Sequence, residues 1–163
     1  MVSLKKIVSV MVFVLFTPSF VMAGGHGQKQ DIVSVAAGNE AFSTLVAAVK
    51  AADLVSVLKS DGPFTVFAPT NEAFEALPKG TVENLLKPEN KAKLVAVLKH
   101  HVIPGDVRSS AIKGKKLTVK TVGGTSLKVN ATKGVRVGGA KVTQADLEAS
   151  NGVIHVINKV LLP

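Results

Sequence analysis

The 163-residue chain contains no cysteine, no tryptophan and no tyrosine. Without thiols there is no disulfide framework, no thiolate zinc site, no iron–sulfur cluster and no cysteine nucleophile. Stability has to come from burial and backbone pairing. All aromatic character rests on seven phenylalanines, so a basic surface here has no Tyr or Trp platform on which nucleobases could stack. Carboxylates are also scarce where the chain is most basic. None of the eleven Asp and Glu residues lies between Val107 and Ala145, a stretch holding Arg108, Lys113, Lys115, Lys116, Lys120, Lys128, Lys133, Arg136 and Lys141. A one-signed field of this kind attracts anions and speeds their encounter. A solvated surface that keeps an exported protein dissolved accounts for the same charge.

Only one long apolar run is present, at the N-terminus. Lys5 and Lys6 precede Ile7 to Phe16, Thr17-Pro18 breaks the run, and Val21-Met22-Ala23 supplies small residues for a signal peptidase. Residues 1–23 are therefore expected to be a signal peptide, the run being too short to cross ~30 Å of hydrocarbon. No cysteine follows it for lipid attachment. The mature chain is expected to be secreted or periplasmic, with no transmembrane segment. Residues 24–30 read as a flexible leader, and residues 31–163 suffice for one domain with its own core.

Along that domain, Asp31 can cap a helix carrying Ile32, Val33 and Val35 and stopped by Gly38. Asn39 can cap a second with Phe42, Leu45, Val46 and Val49 at helical spacing, and Asp53 a third with Leu54, Val57 and Leu58. Phe64 to Ala68 reads as a strand ended by Pro69, with Thr70 placed to cap a short helix through Phe74. Helices follow at Thr81–Leu86 and Lys91–Lys99, and Val102-Ile103 is extended. The second half changes period. Leu117–Val119, Leu127–Val129, Val135–Val137 and Val153–Val156 alternate with period two, separated by Gly123-Gly124, Gly134 and Gly138-Gly139. Inward apolar members place Lys120, Lys128 and Arg136 on the outward face. Helices before strands make an α+β chain with antiparallel pairing.

Phe64-Thr65-Val66-Phe67-Ala68-Pro69-Thr70-Asn71-Glu72-Ala73-Phe74 and the closing Asn151-Gly152-Val153-Ile154-His155-Val156-Ile157 with Leu161-Leu162-Pro163 resemble the two signature stretches of the fasciclin domain. Leu98 to Gly105 is similar to the family's tyrosine–histidine stretch, with His101 at the histidine and His100 where a tyrosine is usual. The resemblance covers nearly all of the mature chain and is that of a single-domain, secreted, bacterial-type member. It implies a wedge-shaped antiparallel β-sandwich flanked by several short helices. It also implies a non-catalytic role in adhesion or in binding polysaccharide, matrix or cell-surface protein. In animal members an acidic–aliphatic pair before the second stretch is associated with integrin recognition. Asp146-Leu147 stands there, with Leu for the usual Ile and no Glu-Pro before it. The competing role is structural, with Asp146 capping a turn and Leu147 packing inward.

The candidate partner-binding residues are thus Asp146, Leu147, His101, Lys120, Lys128 and Arg136. Phe64, Phe67, Pro69, Thr70, Asn71, Phe74, Asn151, Gly152 and His155 read as architecture, with Gly152 expected in a tight turn at positive φ. His100 and His101 are adjacent and diverge, so they do not readily chelate one ion, and His155 sits in an apolar strand suited to bonding a carbonyl. No nucleophile elbow, flanking carboxylate pair or phosphate-cradling glycine loop is present. No catalytic residue, metal or cofactor is expected. Lys outnumbers Arg, which disfavours specific nucleic-acid recognition. The expected partner is an anionic polysaccharide or an extracellular or cell-surface protein; the alternative is a periplasmic carrier of a small apolar ligand.

Overall fold

The computed structural model describes residues 29–163, so the predicted signal peptide and most of the leader lie outside the described residues. The first half is helical: α1 (Ile32–Ala37), α2 (Ser43–Ala51) and α3 (Val55–Lys59) precede strand β1 (Phe64–Pro69). Then come α4 (Asn71–Glu75), α5 (Thr81–Leu86), α6 (Lys91–His100), β2 (Val102–Pro104) and a short α7 (Ser109–Ile112). The rest is strand: β3 (Lys116–Lys120), β4 (Ser126–Asn130), β5 (Arg136–Val137), β6 (Ala140–Ala149) and β7 (Gly152–Ile157). The class is α+β, as expected.

Local chemistry starts the helices where the sequence indicated. The Asp31 carboxylate accepts from the Ser34 N–H and opens α1, and the Asn39 side chain accepts from the Ala41 N–H in a 3-10 turn leading into α2. Two expected caps differ. Asp53 does not cap α3: it takes a left-handed φ of 55° and pairs with Lys91, leaving Leu54 before the helix. Thr70 occupies the position before α4, but its side chain makes no capping bond.

The seven strands run in the order β2-β1-β7-β6-β5-β4-β3. Every pairing is antiparallel except β1 with β7, which is parallel from Phe64↔Gly152 to Pro69↔Ile157. The antiparallel expectation fails there for a physical reason. Both strands are buried on both faces, as parallel strands usually are, and the whole intervening chain serves as the crossover.

Two apolar clusters result, one on each face of the β1–β7 pair. Val66, Ala68, Ile154 and Val156 face the helices, where Phe42, Leu45, Phe74 and Leu98 pack. Phe67 and Ile157 face the other way, against Leu127, Val129 and Val137 of β4 and β5. The phenylalanines of the first signature stretch therefore divide: Phe67 is fully buried in the second cluster, while Phe74 and the half-buried Phe64 belong to the first. Strand β6 joins the layers. Its register slips between Val142 and Gln144 and again between Gln144 and Leu147, so its start pairs with β5 and the remainder with β7.

Candidate functional site

Helices cover one side of the β1–β7 region, but the outward face of β3 to β6 carries no layer. Its composition follows from strand parity. In β4, Leu127 and Val129 point inward, leaving Ser126, Lys128 and Asn130 outward; in β3 the outward set is Lys116, Thr118 and Lys120. Arg136 of β5 and Lys141 of β6 stand directly opposite one another. Lys120, Lys128 and Arg136 are thus brought onto one exposed surface, joined by Lys116 and Lys141. Among the described residues, none of these five cations has a carboxylate within ion-pair distance.

Lys116 follows from carrying the period-two pattern two residues back from Thr118. Lys141 was not legible as a face residue, because the bulged β6 lacks clean alternation.

The other candidates are turned inward. Asp146 has a left-handed φ of 57° and its Oδ1 accepts from the Ser109 N–H at 2.8 Å, while its Oδ2 accepts from the Ser109 hydroxyl. Partial burial raises the Asp146 pKa, but the two bonds from Ser109 and the nearby Arg108 outweigh it and hold the carboxyl below its ordinary value. Asp146 therefore anchors the first turn of α7 from across the fold. Leu147 packs against the helix-side core.

His101 is 2 % exposed. Its Nδ1–H donates to the Val97 carbonyl at 2.7 Å, and its Nε2 accepts from the Leu161 N–H at 2.8 Å. Burial pushes its pKa down to about 4, so the ring is neutral near pH 7. As a partner-contacting residue His101 is a misplacement: both ring nitrogens are spent inside the protein. His100 meets the Thr125 hydroxyl, which also contacts that of Thr121, and burial lowers its pKa too.

The architectural residues have specific tasks. Asn71 accepts from the Thr44 N–H at 3.1 Å and donates to the Glu40 carbonyl at 2.9 Å, fastening the start of α2 to α4. Asn151 accepts from the Ile32 N–H at 3.0 Å and donates to the carbonyls of Leu58 and Ser60 at 2.6 and 3.1 Å, serving the start of α1 and the end of α3. Pro69 is buried at the end of β1. Gly152 follows the Ser150-Asn151 turn at a positive φ of 158°, as expected, and contact with β1 requires glycine there as well. A Cβ there would stand 1.9 Å from the Phe64 carbonyl oxygen of β1.

His155 lies in the second layer with its ring stacked on Phe67, centroids 5.5 Å apart. Its Nε2–H donates to the Val107 carbonyl at 2.7 Å and its Nδ1 accepts from the Asp146 N–H at 3.3 Å. Ser109, Asp146 and His155 are therefore neighbours, but they do not form a nucleophilic relay. The serine hydroxyl donates to the carboxylate, and both imidazole nitrogens are held by backbone. Nearby, Thr65 Oγ1 donates to the Gly105 carbonyl and accepts from the Val107 N–H, completing the strap that fixes residues 105–109.

An apolar cavity of about 40 Å³ lies between α1, α2, α3 and the sheet, lined by residues including Ile32, Val49, Leu58, Val66 and Ile154. Small-molecule pockets are typically ~300–1,000 Å³, so this space is too small for a carried ligand. Among the described residues no helix is long and apolar enough to cross a membrane, and no cluster of three His, Asp or Glu side chains is placed to hold a metal.

The fasciclin domain family model matches residues 40–163. A protein of Synechocystis sp. is 59 % identical over 133 residues, covering 81 % of this chain and 73 % of the relative. Transforming growth factor-beta-induced protein ig-h3 of Sus scrofa is 40 % identical over 150 residues, covering 91 % of this chain but only 21 % of that longer protein. Among solved structures, the domain pair of the insect cell adhesion molecule Fasciclin I superposes with a TM-score of 0.58 at 23 % identity, covering 76 % of this chain and 46 % of that one. That likeness carries the fold, and the sequence matches carry the family. The chain belongs to the fasciclin domain family.

Proposed function

We propose that the protein is an exported, non-catalytic adhesion module that holds an anionic extracellular or cell-surface macromolecule on the outward face of β3 to β6. The observation that carries this reading is the set of five exposed cations, Lys116, Lys120, Lys128, Arg136 and Lys141, on the sheet surface that no helix covers, with no acidic residue paired to any of them among the described residues. Cations on an open face attract an anion over several ångströms and hold it through contacts that weaken as salt rises. The adhesion role is that of the insect relative whose fold this chain shares. Ser109, Asp146 and His155 are committed to hydrogen bonds that hold the fold, which supports a binding rather than a chemical role.

The test is an array of glycans, anionic polymers and matrix proteins probed at low and at physiological salt. Salt-sensitive retention on a narrow set of anionic polymers is the expected result. Retention on neutral glycans with no salt dependence would overturn the reading.

A further inference from the structure

We infer that the β3–β6 face is a track for a linear polyanion, an acidic polysaccharide lying across the strands. This deepens the proposed function and rests on its assignment of that face.

The register places the cations in a line. Lys120 pairs with Ser126, and Lys128 lies two residues further along β4 on the same face. Asn130, two residues beyond Lys128, pairs with Arg136. Each step from Lys120 to Lys128 to Arg136 therefore moves one strand across and two residues along, always in the same sense. Diagonal neighbours of this kind lie about 7–8 Å apart. Lys141 stands opposite Arg136 and carries the line onto β6, so the line draws one cation from each of four consecutive strands and leaves Lys116, the second cation of β3, opposite Asn130.

The spaces between are as informative. Apart from Lys141 on the β6 side of Arg136, the direct cross-strand neighbours of Lys120, Lys128 and Arg136 are Ser126, Thr118 and Asn130, all short and uncharged. They leave the cationic heads free for sulfate or carboxylate groups and offer hydroxyl and amide partners to sugar hydroxyls. The flanking turns are open around their glycines. A Cβ added at Gly124, Gly134 or Gly139 would meet nothing within 4 Å.

Other anionic partners fit less well. A bilayer is gripped by apolar side chains beside the cations, yet the large hydrophobics exposed among the described residues are Val57 of α3 and Leu162 beyond β7, neither belonging to β3 to β6. Nucleic acid is held by stacking on rings or read by arginine forks, and the face has no ring and one arginine. A protein partner would be expected to engage an apolar centre, and there is none.

The test titrates the protein with size-graded dextran sulfate fragments, from the sulfated monosaccharide upward. Affinity is expected to climb with length until the fragment spans the four strands, then to level. The slope of log K against log salt should approach about −3 for four contacts. Each of K120Q, K128Q, R136Q and K141Q should weaken binding about three- to tenfold and flatten that slope by about one unit, whereas K93Q on α6 should change nothing. These positions are exposed, so the variants are expected to fold, and unchanged circular dichroism checks it. Equal affinity for the monosaccharide and the long fragment, lost in the same variants, would overturn the track while leaving the face as the binding surface. Long-fragment binding untouched by the four variants would overturn both. Equal or tighter binding to phosphatidylserine vesicles or single-stranded DNA would overturn the polysaccharide assignment.

Discussion

The Nε2 of His101, at the end of α6, accepts a hydrogen bond from the backbone N–H of Leu161 at 2.8 Å, tying the helical layer to the last residues of the chain. That bond exists only while the ring is neutral.

Stability should therefore fall as the pH drops below about 6.5. His101 has its pKa lowered from 6.5 to about 4 on folding, so between those values the unfolded chain binds the extra proton and unfolding is favoured as pH drops. The stabilising contribution is full above about pH 6.5 and lost by about pH 4. A shift of this size corresponds to about 3 kcal/mol. His100, lowered in the same direction, adds to the slope. Urea midpoints measured from pH 7.5 to 4 check this. The wild type should lose stability across the window, and His101→Gln should start less stable but show a shallower decline.

Gly152→Ala should be among the most damaging small changes in the chain, because its Cβ would fall 1.9 Å from the Phe64 carbonyl oxygen in the buried parallel pair. Gly62→Ala makes a similar collision, 2.1 Å from the Asn151 carbonyl oxygen. Gly139→Ala meets no neighbour and has only the backbone strain of φ +91°, so about 1 kcal/mol is expected there. Thermal melts of the three variants should rank Gly139→Ala well above the other two.

Phe67 and Phe64 separate the two layers. Phe67 is fully buried and stacks on His155, so Phe67→Ala should cost about 3–5 kcal/mol. Phe64 is only half-buried and should cost less when truncated. Equal losses in chemical denaturation would contradict the division of the core described here.

Asn151→Ala removes one acceptor and two donors from backbone groups of α1 and the α3 exit. A loss of about 2–4 kcal/mol is expected from orphaned backbone groups. Asn151→Asp should recover only the bond to the Ile32 N–H, giving an intermediate melting temperature.

How far the sequence could be read depended on how local the causes are. Asp31 and Asn39 cap helices a few residues away, and the helix at Thr81–Leu86 and the period-two strands β3 to β5 were legible from spacing alone. Strand β6 was not, because two register slips and the left-handed Asp146 erase its alternation. Helix α7 was missed for a related reason: four residues carry little periodicity, and its N-terminal anchor comes from Asp146, distant in sequence. The family resemblance marked Asn71 and Asn151 without saying what they hold, since their partners lie up to 119 residues away. For the binding face, parity alone put Lys120, Lys128 and Arg136 outward. Only the pairing register reveals that they share a diagonal.

The central claim is that this face, and not the protein's overall positive charge, is the binding surface. The most direct test is the affinity of the Lys120→Glu, Lys128→Glu, Arg136→Glu triple variant for long dextran sulfate, measured at low and physiological salt. A second variant with three reversals off the face, at Lys50, Lys79 and Lys93, has the same net charge and serves as the comparison. The face variant is expected to lose binding while its melting temperature changes little, and the comparison variant to keep most of its affinity. Equal losses in the two variants would contradict the claim.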